Sequence, residues 1–144
     1  MKRNYFVILL LFGLLVIGCR QAGIRGLVPC SGVVLKSGQP VGGVDLTFVP
    51  VSTSPESRAA SAKTEADGTF HVSTQAYKGI LPGEYQVILS KKEPKVDNSD
   101  PSIPENYRTV SYIEQMGKYA DANKSGLSAA IPKGGEKNLE IKID

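Results

Sequence analysis

Tryptophan is absent from this sequence of 144 residues, histidine occurs once and cysteine occurs twice. So few thiol and imidazole groups cannot supply a Cys/His cluster with the spacing of a zinc site. The same scarcity works against a histidine-based triad, and the Gly-x-Ser-x-Gly nucleophile motif does not occur in the chain. We therefore predict no catalytic residues, no metal site and no cofactor, and hence a protein that is not an enzyme.

An excess of charge of one sign is also missing. Lys and Arg number 17 against 14 Asp and Glu, which gives a formal net charge of +3. Lys2 and Arg3 are the only charged residues among the first 18, so the net charge without that segment is +1. A nearly neutral domain lacks the basic surface by which proteins bind phosphate backbones, so no nucleic-acid partner is expected.

Long apolar runs are lacking except near the start of the chain, where one extends from Tyr5 to Ile17 behind Lys2 and Arg3. This run is shorter than the roughly 20 apolar residues that a membrane-spanning helix needs. It has the length of the apolar core of a secretory signal peptide, which also begins with basic residues. We predict that residues 1–18 form a signal peptide.

The apolar run ends in the sequence Val16-Ile17-Gly18-Cys19, which resembles the lipobox of bacterial lipoproteins. The resemblance implies cleavage between Gly18 and Cys19, lipidation of the Cys19 thiol and acylation of the freed amine. Several acyl chains together anchor a protein stably to a membrane. By the same resemblance, Arg20 in place of Asp favours the outer membrane of the cell envelope. The alternative is an ordinary signal peptide in which Cys19 is incidental.

A lipidated Cys19 cannot form a disulfide, which leaves Cys30 as a lone thiol in an oxidising compartment. Free cysteine is among the most buried residue types, so we expect Cys30 in the core. The alternative is a reactive or intermolecular thiol. Residues 19–26 are polar and glycine-containing, which is typical of a short tether.

From residue 27 onward, apolar and polar residues alternate with a period of two, as in half-buried β-strands. Turn sequences such as Asp67-Gly68 and Pro82-Gly83 separate these segments. About seven strands are predicted, at Leu27–Leu35, Val44–Phe48, Arg58–Thr64, Thr69–Thr74, Glu84–Ser90, Leu127–Ile131 and Leu139–Ile143. This pattern is typical of an all-β fold, an antiparallel β-sandwich of about 100 residues.

The segment 91–124 breaks the alternation. Val110, Ile113 and Met116 have helical spacing, which indicates one short helix. A loop of this length inside a compact domain is usually functional or mobile.

Three tyrosines of this segment form a candidate contact surface, since tyrosine is enriched at protein interfaces. They are Tyr107, Tyr112 and Tyr119. The alternative is that they pack the loop onto the sandwich. Asp121–Gly126 matches the first half of a calcium-binding EF-hand loop, but Pro132 stands where that loop requires a glutamate, so calcium is not expected.

Three motifs resemble those of carboxypeptidase regulatory-like domains, also called transthyretin-like domains. They lie at Gly32–Pro50 with its Gln-Pro-Val turn and Phe-x-Pro ending, at Thr64–Phe70 with its Asp-Gly turn, and at Pro82–Val87 with its Pro-Gly-x-Tyr-x-Val pattern. Lys118-Tyr119 and Ser125–Leu127 resemble the tail of a subgroup of small bacterial lipoproteins. The resemblance covers Val28–Ile143 and implies a Greek-key sandwich over 27–144, without supplying a function.

The leading hypothesis is a lipid-anchored module of the cell envelope with a non-catalytic interaction or structural role. Its partners would be the membrane, through Cys19, and an unidentified envelope protein or polymer. A second hypothesis is a binder of small ligands such as glycans or peptides. A third is a hydrolase, which would need an acid close to His71. Strand alternation places His71 on the opposite face from Phe70 and Val72, which favours a solvated residue.

Overall fold

The computed structural model describes residues 23–96, 98, 100–108 and 110–144. The predicted signal peptide 1–18, the predicted lipidation site Cys19 and the start of the tether lie outside the described residues. Over the described ranges the chain is all-β, without an α-helix, and has two short 3-10 turns at Glu105–Tyr107 and Gly117–Ala120. The same ranges contain no helix with the length and hydropathy to cross a membrane.

All seven predicted strands are confirmed, and the structure adds two short strands and one hairpin. The strands are β1 Cys30–Lys36, β2 Gln39–Pro40, β3 Asp45–Pro50, β4 Ala60–Lys63, β5 Thr69–His71, β6 Ser73–Thr74, β7 Tyr77–Lys78, β8 Gly83–Ser90, β9 Lys92–Val96, β10 Val110–Glu114, β11 Leu127–Ile131 and β12 Glu136–Ile143.

These strands form two sheets and a separate hairpin. In the first sheet β1 lies between β12 and β2, and β5 also pairs with β1. The second sheet has the order β11-β8-β3-β4-β6-β7, and β9 pairs with β10 alone. The predicted strand Thr69–Thr74 is split because β5 pairs in the first sheet and β6 in the second, with buried Val72 at the crossing point. Strands that switch sheets in this way form the corners of β-sandwiches.

The core lies between the two sheets and is filled by the apolar face that the alternation predicts. Phe48 of β3 contacts Phe70 of β5 and Tyr85 of β8, each with ring centroids 6.3 Å apart. The other buried apolar residues of the strands include Val34, Leu46, Val87, Leu89, Ala129, Ile131, Ile141 and Ile143. The inward faces of β3, β8, β11 and β12 thus match their predictions.

One strand pair departs from the predicted antiparallel arrangement, because β1 and β12 are parallel. The pairing runs from Cys30 with Glu136 to Lys36 with Ile143, with an irregularity between Cys30 and Gly32. Alternation reports which face of a strand is buried and says nothing about strand direction, so the sequence pattern could not reveal this pair.

The predicted helix through Val110, Ile113 and Met116 is wrong. Residues 110–114 form β10, which pairs with β9 from Val110 opposite Val96 to Glu114 opposite Lys92. Met116 lies beyond the strand and is buried in the core. The helical spacing arises by coincidence, because Val110 and Ile113 are exposed residues of β10 whereas Met116 is a core residue on the turn that follows.

Gly32 is required where β1 meets β12. A Cβ atom at this position would lie 1.9 Å from the backbone oxygen of Leu139 and 2.8 Å from its carbonyl carbon. Backbone atoms of a paired strand cannot move aside as a flexible side chain can.

We expect Gly32→Ala to lower the free energy of unfolding by about 3 kcal/mol, because a methyl group there forces the two strands apart. Urea unfolding followed by circular dichroism measures the change. Gly134→Ala is the matched control, since a Cβ atom at Gly134 has open space around it. Equal stability of the two variants would contradict this account of the β1–β12 contact.

Candidate interaction surface

Large apolar side chains are exposed mainly in one region of the described chain. Of seven such side chains, one is Val51 and six lie between residues 96 and 113. The six are Val96, Ile103, Tyr107, Val110, Tyr112 and Ile113, of which Tyr107 and Tyr112 are 76% and 68% exposed. We call these six residues with Pro94 the hairpin surface. Contiguous exposed apolar groups on a folded protein commonly mark an interaction site.

The register of the hairpin places most of these groups on one face. Val110 lies opposite Val96, and Tyr112 lies opposite Pro94. Directly opposed residues of antiparallel strands share a face, so these two pairs form an apolar cluster. The other face carries Ser111 opposite Lys95 and Ile113 opposite Glu93, and is therefore more polar.

The connection between β9 and β10 is held by a few polar contacts. Arg108 donates from Nε to the carbonyl oxygen of Ile103 at 3.0 Å and from Nη1 to Oδ1 of Asn98 at 2.7 Å. Asp100 accepts hydrogen bonds from the backbone and hydroxyl of Ser102. These contacts leave the aromatic ring of Tyr107 in solvent.

The base of the hairpin is fixed by Glu114. Its carboxylate accepts hydrogen bonds from Ser90 Oγ at 2.6 Å, from the backbone N–H of Lys91 at 2.8 Å and from that of Met116 at 2.9 Å. Burial raises the pKa of Glu114, but these hydrogen bonds outweigh burial and hold the pKa below its ordinary value of 4.5. The carboxylate thus ties the end of β8 to the end of β10.

The three tyrosines of the predicted contact surface do not lie together. Tyr107 and Tyr112 belong to the hairpin surface, whereas Tyr119 is 9% exposed and belongs to the core. The Tyr119 hydroxyl accepts a hydrogen bond from the backbone N–H of Asp144, and the Lys118 ammonium lies 4.9 Å from the ring centroid. Tyr119 packs the segment onto the sandwich, and the other two remain available for contact.

His71 is exposed on β5, as predicted. It lies opposite Ser31 of β1, and both residues border open clefts of about 370 and 660 Å³ that they share with Lys137. Among the contacts of the described residues, no hydrogen bond or ion pair joins His71 to a carboxylate. The described ranges also contain no group of three His, Cys, Asp or Glu side chains placed to bind a metal ion.

A further open cleft of about 590 Å³ lies where the described chain begins. Ile24 and Arg25 line it together with Gly83 and Glu84 at the start of β8 and with the loop that contains Arg58. The described chain therefore enters the sandwich at the start of β8, whereas the hairpin follows the end of that strand.

Cys30 is buried in the core, as predicted, with 4% exposure. Burial, with a smaller effect of the Glu136 carboxylate, raises the pKa of the Cys30 thiol to about 11. The thiol is therefore neutral at pH 7, and since the thiolate is the reactive form, Cys30 is inert in the folded chain.

We expect Glu114→Gln to reduce the amide exchange protection of Ser111 and Ile113 at pH 7, because a neutral amide accepts the three hydrogen bonds less strongly. Since the folded pKa lies below 4.5, the carboxylate contributes fully above that pH and loses its contribution as the pH falls through the folded value. The difference between the variant and the wild type should therefore shrink below pH 4.5. Glu93→Gln, an exposed change on the same hairpin, is the control, and an equal effect of both changes would contradict the role of Glu114.

We expect the Cys30 thiol to react with an aromatic disulfide reagent at pH 8 only as fast as the chain opens. The Cys19→Ala variant leaves Cys30 as its single thiol. Urea above the unfolding midpoint should accelerate the reaction to the rate of a free thiol, since unfolding restores the ordinary pKa of 9.0. Rapid reaction of the folded chain would contradict the burial.

Comparisons with known proteins add little to this description. No family model matches the chain. No curated protein matches it. One solved structure with a similar backbone is a 9R-lipoxygenase from Cyanothece PCC8801, with 11% sequence identity and a TM-score of 0.42. The match covers 85% of this chain and 17% of the lipoxygenase chain, and a likeness this distant carries no argument about function.

Proposed function

We propose that this protein is a lipid-anchored module of the bacterial cell envelope with a non-catalytic interaction role, and that the hairpin surface is its contact surface. The observation that carries the proposal is the concentration of exposed apolar side chains on one hairpin outside the two main sheets. A stable domain has no structural need for such a hairpin, since neither face of it contributes to the core.

The anchor rests on the sequence. The basic start, the apolar run and the ending Gly18-Cys19 agree with a lipoprotein signal peptide, and Arg20 favours the outer membrane. A lipid at Cys19 would lie four residues before Gly23, where the described chain begins. Only a short tether would then separate the sandwich from the membrane.

Within the all-β class, we assign the domain to the Greek-key sandwiches of the carboxypeptidase regulatory-like class. Its support is the position of the motif residues. Gly68 adopts a φ of +79° in the predicted Asp-Gly turn, and Phe70 and Tyr85 enter the core just after their turns. These residues specify a fold and form no chemical site.

The chain entry and the hairpin lie at opposite ends of the sandwich, which suits a contact role. The described chain enters beside Gly83, and the hairpin starts at Lys92, just beyond the other end of β8. A strand of eight residues spans about 25 Å at roughly 3.3 Å per residue. An anchor at Cys19 would therefore hold the hairpin surface on the side of the domain that faces away from the membrane.

Binding of a small ligand is the second candidate, and the cleft of about 590 Å³ favours it. Arg25 and Arg58 are cationic, and Ser52, Ser54 and Ser57 bring hydroxyl groups to the same cleft. Arg58 is partly occupied, because its Nη1 donates to the carbonyl oxygens of Pro55 and Ser57.

In-cell crosslinking of the tagged full chain, followed by mass spectrometry, tests the proposal. We expect a reproducible envelope partner that is lost in Cys19→Ala and in the double variant Tyr107→Ser/Tyr112→Ser, because the former removes the anchor and the latter the largest apolar contacts. Val51→Ser is the matched control, since Val51 is exposed and apolar but lies off the hairpin.

Loss of the partner in Val51→Ser as well, or a partner unaffected by both the anchor and hairpin variants, would contradict the proposal. A thermal shift with one class of glycan or peptide, abolished by Arg58→Ala, would favour the small-ligand candidate instead.

A further inference from the structure

The outer edge of β10 is open for strand pairing. The backbone N–H of Gln115 donates to the carbonyl oxygen of Lys91, while the Lys91 N–H donates to the carboxylate of Glu114. The first of these bonds spans the position next to the Glu114–Lys92 pair, so Glu114 and Lys92 form a non-hydrogen-bonded pair of the hairpin ladder. Hydrogen-bonded and non-hydrogen-bonded pairs alternate along antiparallel strands. Val110 and Tyr112 therefore belong to non-hydrogen-bonded pairs, and their N–H and C=O groups point away from β9. Among the described residues, no other chain segment accepts or donates at these groups.

The outer edge of β9 is closed by Pro94. By the same alternation, the nitrogen of Pro94 points away from β10, and proline has no N–H to donate. Proline on an edge strand is a common protection against pairing with another chain. The hairpin is thus protected on one edge and unprotected on the other, where exposed Val110 and Tyr112 flank the open backbone groups.

We propose that the occupant of this edge is a second copy of this chain, paired antiparallel through β10 about a two-fold axis at Ser111. In this register Val110 lies opposite Tyr112 of the second copy at both ends of the pair. Aromatic residues opposite β-branched residues are favourable cross-strand pairs. The two hairpins become one four-stranded sheet whose apolar clusters are continuous.

The charges around β10 complement each other in this register. Arg108 precedes Val110 by two residues and Glu114 follows Tyr112 by two, so the register sets the positive charge of Arg108 near the negative charge of Glu114 of the second copy. Both groups keep the hydrogen bonds within their own chain, so the complementarity is one of charge without a direct ion pair. An axis at Tyr112 instead would set apolar Val110 against charged Glu114. Charge complementarity of this kind fixes the register of an interface more than it adds affinity.

The interface is small. An aromatic side chain buries about 150–250 Å², and a stable interface buries about 800 Å² per partner. We therefore expect a weak dimer in dilute solution and a populated one when copies share a membrane, which raises their effective concentration. This last step rests on the proposed lipid anchor. Two copies anchored in one membrane are related by an axis perpendicular to that membrane. Since the proposed two-fold axis is also perpendicular to the hairpin sheet, the copies can pair when this sheet lies parallel to the membrane.

Disulfide trapping of the full chain in cell envelopes tests the pairing. In the proposed register Ser111 faces its own copy as a non-hydrogen-bonded pair, with Cα atoms about 4.5 Å apart, which a disulfide can bridge. We expect Ser111→Cys to give a dimer on non-reducing gels after mild oxidation, several-fold above the wild type. Ile113→Cys, two residues along the same strand, is the matched control and should stay at the wild-type level.

A second change separates backbone pairing from side-chain contact. Adding Tyr112→Pro to Ser111→Cys removes an outward N–H without breaking the β9–β10 ladder, as Pro94 does on the other strand. We expect this change to abolish the dimer and Tyr112→Ala to weaken it less. A dimer that survives Tyr112→Pro, or one that forms equally at Ile113→Cys, would overturn strand pairing.

Separation of the same samples into membrane and soluble fractions tests the lipid anchor independently of the pairing. A chain found in the membrane fraction that gives no Ser111→Cys dimer overturns the inference and leaves the proposed function intact. A chain absent from the membrane fraction contradicts the anchor. Oxidation of that chain after concentration then tests the pairing alone, and a Ser111→Cys dimer supports it while its absence overturns it.

Discussion

The close passage of β1 against β12 is the contact on which the rest of the domain depends. Gly32 has no Cβ atom, and the backbone of Leu139 occupies the place where one would be. This contact holds the first sheet together, so that β1 can also pair with β5 and present Val34 to the core. Phe70 of β5 then meets Phe48 of β3, which joins the first sheet to the second. In the second sheet β8 lies between β11 and β3, and the hairpin follows the end of β8 in the chain.

The sequence pattern was sufficient for the strands that have one buried face. Tyr85, Val87 and Leu89 alternate with polar or half-buried neighbours because one side of β8 lies in the core. Two features left no such trace. Strand direction does not affect alternation, so the parallel pairing of β1 and β12 was not predictable. Strands β9 and β10 bury neither face, so no periodicity identifies them.

The candidate site was predicted in part for the same physical reason. Residue type indicates that a tyrosine favours contacts, but not whether the partner is the protein's own core or another molecule. Tyr119 stands beside buried Met116 and fills the core, whereas Tyr112 stands on a strand that no layer covers. The role of Pro94 depends on the pairing register of β9 with β10, which single-sequence reasoning does not supply.

The pairing of β1 with β12 also sets an order of events during synthesis. A ribosome makes Lys36, the last residue of β1, about a hundred residues before Glu136, the first residue of β12. Throughout that interval β1 lacks the neighbour that covers one of its edges, so the first sheet cannot close. Contacts this distant in sequence slow folding and keep early strands exposed. The first sheet can therefore be completed only after nearly all of this domain has been made.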